Sequence, residues 1–158
     1  MSSDAAFALP PKLPEVELWR DEPTPLLPAA LYSLTDLSDA DLVQVQDVCE
    51  SKCDTHRRGE CVKPPERWNF AGQNLHAIIM RHIELAKDRQ FDPLHFIVTP
   101  SNAWATEGVL FVTLDSDEDE CVPDAFWVKA DESGVCFMNI LIGSSDWHGE
   151  KDNHALKK

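Results

Sequence analysis

Two aspartates, Asp36 and Asp146, follow apolar runs at residues 30–35 and 135–142 that are typical of β-strands. In open α/β sheets, ligands bind outside the carboxyl ends of strands, where the connecting loops converge. If these two strands are parallel neighbours, the carboxylates face one cleft, and their repulsion raises the pKa of one of them to give an acid–base pair. The alternative is that each aspartate caps a helix or turn by accepting hydrogen bonds from backbone amides.

His82 is the third catalytic candidate, because it lies in the middle of the apolar face of a helix predicted over residues 73–89. A buried imidazole in this position is either a general base with a shifted pKa or a neutral side chain bonded to a backbone carbonyl. The other histidines have no i, i+4 pairing and no HExxH-type spacing; they are His56, His76, His95, His148 and His154.

Four residues at the end of the first predicted helix have side chains that can bind zinc: Cys49, Cys53, His56 and Cys61. Only two residues separate Cys53 from His56, which matches no common zinc module. We therefore predict incidental cysteines at a helix end and no bound metal, with zinc as the alternative. The chain has five cysteines, an odd number that cannot all pair within one molecule, so free thiols are expected.

The acidic run from Asp115 to Glu120 places aspartates at positions one, three and five of a calcium-binding EF-hand loop. The sixth position is Glu120, where the loop needs glycine, and the twelfth is Phe126, where it needs a bidentate glutamate. We therefore predict a solvated loop between two strands and no calcium.

The composition narrows the classes of partner. Asp and Glu total 28 against 14 Lys and Arg, a formal net charge of −14. This charge repels phosphate backbones and anionic lipid, so no nucleic acid and no membrane is expected as a partner. The sequence has no GxGxxG, P-loop, GxSxG or CxxC motif, and we predict no cofactor. Without a signal-peptide pattern or an apolar run of ~20 residues, the protein is expected to be cytoplasmic.

A chain of 158 residues predicts one domain, since domains usually have roughly 100–200 residues. Six of the eleven prolines lie in residues 1–28, which disfavours regular helix or central strand there. The leucines and Trp19 of this segment need cover, so we predict an extended arm packed on the domain. The polar residues 149–158 are expected to fray.

The elements between these ends follow from hydrophobic periodicity and turn residues. A strand over residues 30–35 precedes a helix that starts at the cap residue Ser38 and runs to about residue 53. After the helix over residues 73–89 come four β-rich runs, at residues 94–99, 109–114, 125–130 and 135–142. The predicted fold class is α/β or α+β, with a mixed sheet, two main helices and an antiparallel C-terminal meander.

Two blocks of the chain resemble a family of small microbial proteins known as a domain of unknown function. Residues 31–39 (LYSLTDLSD) resemble the opening strand of the family and its T-D-[F/L]-S-D turn. Residues 126–147 resemble its ending without a gap, and the pattern is kept at Phe126, Val128, Glu132, Asn139, Asp146 and Trp147. Leu34 and Ser144 depart from the family, which has Arg and Asn there. The resemblance covers about a fifth of the chain, with a weaker match around LFVTLD, and implies one cytosolic α/β domain but no activity.

Two hypotheses about function follow. The first is a binding or interaction module for a protein or a small molecule, with Asn139, Asp146 and Trp147 of the second block as ligand-binding residues, and a homodimer is possible. The chain has five tryptophans that could anchor a partner, although at least three are expected in the core. The second is a small cofactor-free enzyme, such as an isomerase, cyclase or hydrolase, that uses a carboxylate and a histidine, with Asp36, His82 and Asp146 as candidates.

Overall fold

A five-stranded sheet forms the centre of the computed structural model, which describes residues 5–20, 26–53, 57–117 and 119–157. Its strands are β1 (Ala29–Ser33), β2 (Val62–Lys63), β3 (His95–Thr99), β4 (Val109–Thr113) and β5 (Asp124–Val128). Their order is β2-β1-β3-β4-β5. β1 pairs in parallel with β2 and β3, whereas β3, β4 and β5 form an antiparallel meander. The predicted α/β class with a mixed sheet is confirmed.

The helices cover both faces of the sheet. They are α1 (Asp39–Glu50), α2 (Leu75–Ala86), α3 (Trp104–Glu107), α4 (Ala130–Leu141) and α5 (Trp147–His154), with a 3-10 helix at Pro14–Trp19. Side chains cap three of them: Ser38 Oγ accepts from the Asp41 amide, Asn74 Oδ1 from the Ala77 amide and Asp146 Oδ1 from the Gly149 amide. No helix in the described part of the chain is long and apolar enough to cross a bilayer.

The sheet has an apolar core on each face, because successive side chains of a strand point to opposite faces and both sets are apolar here. In β1, Ala30 and Tyr32 belong to the core under α2, whereas Ala29 and Leu31 belong to the core under α1 and α4. The molecule therefore has three layers, with α2 and the 3-10 helix on one face and α1, α4 and α5 on the other.

Two predictions about the C-terminal third are wrong. Residues 135–142 were predicted as a strand, but 135–141 belong to helix α4, which is buried against α1. The two helices approach so closely at Gly134 that a Cβ atom there would collide with the carbonyl oxygen of Cys49. The predicted frayed tail is also wrong up to His154, because α5 starts at the Asp146 cap and packs on α4.

The described part of the N-terminal arm lies on the α2 side of the sheet. Leu13, Val16 and Trp19 are buried there, and the Leu13 amide donates to the carbonyl of Cys121 at 2.7 Å. This part differs from the predicted extended conformation, because Pro14 starts the 3-10 helix. Residues 1–4 and 21–25 of the predicted arm lie outside the described residues.

Candidate functional site

Polar side chains collect at one end of the sheet, which we call the His95 end. His95 opens β3, Thr113 closes β4 and Asp124 opens β5, and the antiparallel register places the three side by side. Trp147 Nε1 and Lys151 Nζ both donate to Asp124 Oδ2 at 2.8 Å. Helix α5 is thereby held against this end of the sheet.

Asp92 holds the ring of His95 in a fixed orientation. One carboxylate oxygen, Asp92 Oδ1, accepts from His95 Nδ1 at 3.1 Å and from the amides of Leu94 and His95 at 2.9 Å. Burial acts to raise the pKa of Asp92, but His95 and these hydrogen bonds outweigh it, and the pKa is lowered. Because a carboxylate only accepts, the proton of a neutral His95 lies on Nδ1, and the lone pair is on Nε2. This is the arrangement of an oriented histidine base.

A cavity of about 210 Å³ lies beside this pair, and we call it the His95 cavity. Its wall is mostly apolar, with polar groups from His95, Asp92 and Arg20. The lining residues are Trp19, Arg20, Asp92, Pro93, Leu94, His95, Ile140 and Leu141. They come from the 3-10 helix, the turn before β3 and the end of α4, so the cavity exists only after these three segments pack together.

Arg20 connects the cavity to the loop after β4. Its Nε donates to Asp115 Oδ2 at 2.9 Å, and its Nη2 donates to the carbonyl of Asp117 at 2.7 Å. The other oxygen, Asp115 Oδ1, is buried and has no hydrogen-bond partner among the described residues. Burial raises the pKa of Asp115 more than Arg20 lowers it, so the neutral carboxylic acid is favoured relative to an exposed aspartate.

A larger cavity, with a volume of about 410 Å³, lies elsewhere in the described part of the chain. Among the described residues, Glu60 and Lys63 are the only charged ones in its lining; the described lining is Leu26, Leu27, Pro28, Gly59, Glu60, Lys63, Gln90, Met138 and Leu141. The larger cavity therefore does not contain the Asp92–His95 pair. Because that pair can do acid–base chemistry, the smaller His95 cavity is the better candidate site.

His82 lies in the core and lines neither cavity. Its Nε2 is 2.9 Å from the carbonyl of Asp92, its Nδ1 is 2.7 Å from the Tyr32 hydroxyl, and its side chain has no exposure. Burial lowers its pKa to about 4. Of the two interpretations of His82, the structure agrees with the neutral side chain that is hydrogen-bonded to a backbone carbonyl. Its contribution to the site is indirect, since it holds the backbone of Asp92.

Asp36 and Asp146 do not share a cleft, so that hypothesis is wrong. Asp36 follows the carboxyl end of β1 and accepts from Asn69 Nδ2 at 3.0 Å, close to where Ser33 and Asn69 pair. Asp146 adjoins Trp147 at the His95 end, which is the opposite end of the sheet. Asp146 caps α5, as the alternative interpretation predicted.

The candidate ligand-binding residues of the second block lie around α5. Asn139 Nδ2 donates to Glu150 Oε1 at 2.9 Å, and Trp147 packs on Phe111 and Phe126 with ring centroids 5.1 and 5.0 Å apart. Neither side chain lines the His95 cavity. Both hold α5 to the rest of the domain, and the ring of Trp147 also lies 6.3 Å from that of His95.

The first cysteine cluster is only partly visible, because His56 lies outside the described residues. Cys53 Sγ is 3.0 Å from Cys61 Sγ, whereas the thiol of Cys49 has a hydrogen bond with the side chain of Ser133. Burial raises the pKa of the Cys49 thiol to about 12. The thiols of Cys49, Cys53 and Cys61 do not all lie within 4.8 Å of one another.

The acidic run forms the loop between β4 and β5, as predicted. Basic residues of the arm contact it: Lys12 Nζ lies 2.8 Å from Glu120 Oε1, and Arg20 bonds Asp115 and Asp117. The Asp119 amide donates to Asp117 Oδ1 at 2.8 Å. The loop is thus tied to the arm, and Glu118 lies outside the described residues.

Sequence reasoning missed the pair that forms the site. Asp92 and His95 are three residues apart around Pro93, just before a buried strand, and an aspartate in that position often bonds amides two or three residues later. That local signal was available. Nothing in the sequence linked the pair to Arg20 or Leu141. Comparisons with protein-family models, with curated proteins and with solved structures give no match to this chain.

Proposed function

We propose that this protein binds a small molecule in the His95 cavity. The observation that carries the proposal is the Asp92–His95 hydrogen bond beside a mostly apolar cavity. A binding site needs a few oriented polar groups in an apolar wall, and this is the combination found here.

The chemistry of the cavity defines the ligand class. Nε2 of a neutral His95 accepts a hydrogen bond, so the ligand carries an O–H or N–H group at that point. The rest of the ligand is apolar, because it would contact the side chains of Trp19, Ile140 and Leu141. The volume of about 210 Å³ is below the roughly 300–1,000 Å³ of typical ligand pockets, so the ligand is small. The net charge of −14 favours a neutral or cationic molecule over an anionic one.

An acid–base enzyme at the same site is the second candidate, and the Asp92–His95 geometry specifically favours it. A carboxylate on Nδ1 keeps the ring oriented and stabilises the imidazolium that forms when Nε2 takes a proton. In this proposal His95 replaces His82 as the base. A protein-binding surface has less support, because Trp19, Trp104 and Trp147 are buried and cannot anchor a partner.

A ligand-observed NMR screen tests the proposal with neutral, cationic and anionic fragments of equal size. We expect neutral or cationic hits that bind the wild type and His76→Gln, a control on an exposed histidine of α2, but not His95→Gln. Leu141→Trp, which fills the cavity from its wall, should also lose them. Hits that bind both cavity variants as tightly as the wild type would contradict the proposal. Chemical conversion of a hit by the wild type, absent in His95→Gln, would identify the enzyme.

A further inference from the structure

A second cluster of chemically active side chains lies between α4 and α5, and it shares no residue with the His95 cavity. Glu132 and Cys136 are four residues apart on α4, and Glu150 and His154 are four residues apart on α5, so each pair occupies one helix face. Packing of the two helices brings these faces together. Ligand atoms of Cys136, Glu150 and His154 all lie within 4.8 Å of one another.

The histidine of this cluster is oriented for coordination. His154 Nδ1 is 2.9 Å from Glu132 Oε1, so its Nδ1–H group donates to that carboxylate and leaves the Nε2 lone pair directed elsewhere. Metal-bound histidines usually donate their other ring N–H to a carboxylate or carbonyl in this way. Glu132 thus occupies the position of an orienting partner.

The distance between Nε2 and the second carboxylate also fits a shared ion. His154 Nε2 lies 3.8 Å from Glu150 Oε1, too far for a hydrogen bond, for which about 2.7–3.2 Å is normal. Nitrogen and oxygen ligands at about 2.0–2.1 Å from a tetrahedral zinc ion are roughly 3.4 Å apart. A small inward movement of the two side chains would complete that geometry.

The burial of Glu150 and the charges around it also favour a bound cation. Glu150 is only 3% exposed, and Asn139 Nδ2 donates to its Oε1 at 2.9 Å. The ammonium group of Lys52 lies 3.9 Å from Glu132 Oε2, and this lysine is half exposed. A buried carboxylate needs a compensating positive charge, and a divalent cation bound by Glu150 supplies it.

We propose that Cys136, Glu150 and His154 bind one Zn²⁺ ion, with Glu132 orienting His154 and Asn139 orienting Glu150. One sulfur, one nitrogen and one oxygen ligand suit zinc, and three protein ligands leave a fourth position for water or a small ligand. Binding replaces the S–H bond of Cys136 by a Zn–S bond and releases one proton to the buffer. The site departs from the sequence-based prediction of no metal, because its ligands meet only through helix packing.

Cobalt titration of the metal-free full chain tests the site, followed by competition with zinc. We expect one Co²⁺ per chain, bound with release of about one proton and a thiolate-to-cobalt charge-transfer band, and then displacement of the cobalt by one Zn²⁺ without further proton release. Cys136→Ala and His154→Gln should each weaken zinc binding at least 100-fold, and Glu132→Gln about 10–100-fold. Circular dichroism of each variant establishes that it is folded.

Matched controls separate this site from other ligand groups. Cys53→Ala removes a thiol of the first cysteine cluster, and His148→Gln removes an exposed histidine of α5; both should bind zinc as the wild type does. The absence of stoichiometric binding by the wild type would overturn the proposal. Wild-type affinity in folded Cys136→Ala, or loss of the charge-transfer band in Cys53→Ala alone, would also overturn it.

Discussion

The hydroxyl of Tyr32 donates a hydrogen bond to Nδ1 of His82 across 2.7 Å, and neither side chain is exposed to solvent. The direction follows from the other ring nitrogen. Nε2 of His82 faces the carbonyl of Asp92 at 2.9 Å, and because a carbonyl only accepts, Nε2 carries the proton. Nδ1 of the neutral ring is then the acceptor, so β1, α2 and the turn before β3 are joined in one buried chain of hydrogen bonds.

Removal of the Tyr32 hydroxyl should destabilise the fold. Tyr32→Phe leaves His82 Nδ1 buried without a donor, and we expect the free energy of unfolding to fall by about 1–3 kcal/mol in urea denaturation. Thr99→Val is the matched control, because the buried hydroxyl of Thr99 has no partner among the described residues. Thr99→Val should reduce the free energy of unfolding by much less than Tyr32→Phe does. Equal losses in the two variants would contradict the assigned bond.

His82 should make stability depend on pH. Burial lowers its pKa from 6.5 to about 4, so between these values the unfolded chain binds a proton that the native state does not. The contribution of His82 is complete above pH 6.5 and is lost as the pH falls towards 4. From pH 7 to 4.5 we expect a loss of about 2 kcal/mol, whereas the lowered pKa of Asp92 acts only at more acidic pH.

Urea denaturation across that pH range measures the contribution. His76→Gln, which alters an exposed histidine of the same helix, should keep the wild-type pH dependence. In folded His82→Gln, the decrease in the free energy of unfolding between pH 7 and 4.5 should be about 2 kcal/mol smaller than in the wild type. The same slope in His82→Gln and the wild type would show that His82 does not titrate in this window.

The 3-10 helix of the arm should contribute to stability through Val16, which has no exposure. Val16→Ala removes two buried methyl groups and should reduce the free energy of unfolding by about 2 kcal/mol. Leu18→Ala is the control, because Leu18 is 60% exposed, and it should change stability by at most about 0.5 kcal/mol. Similar effects from both substitutions would mean that the arm does not pack as described.

The carboxylate of Asp146 should act as a helix cap. Asp146→Ala removes the acceptor for the Gly149 amide and should cost about 1 kcal/mol, measured by guanidinium denaturation. Asp146→Asn keeps a capping oxygen and should stay close to the wild type. A loss of equal size in Asp146→Asn would indicate that the negative charge, and not the cap, matters at this position.

Gly134→Ala should be destabilising, although alanine is favoured over glycine by about 1 kcal/mol in an isolated helix. Its Cβ atom would meet the Cys49 carbonyl and Cys53 Sγ, so α1 and α4 would have to separate. The double variant Cys53→Ala/Gly134→Ala relieves only the contact with sulfur and should not recover the wild-type melting temperature. Recovery in that variant would place the obstacle at the side chain.

Local patterns predicted most of the elements correctly. The Ser38 cap, the apolar face around His82 and the β-rich runs near residues 94–99, 109–114 and 125–130 each report on neighbours in the chain. Periodicity and capping are local properties, which is why such segments can be identified without a structure.

The same reasoning failed for α4. The run VCFMNILI is apolar with too few polar residues to indicate a helical period, and such a run is typical of a buried strand as well as a buried helix. Lys129 provides no side-chain cap, and Gly134 lowers helix propensity. Packing decided the outcome, since Gly134 allows α4 to lie directly on α1.

Both candidate sites depend on contacts between residues far apart in the chain. Arg20, His95 and Leu141 meet at one cavity only because the arm, the start of β3 and the end of α4 converge there. Glu132 and His154 meet only because α5 folds back on α4. Spacing along the chain carries no information about such contacts; the hydrophobic burial that assembles the layers determines which polar groups become neighbours.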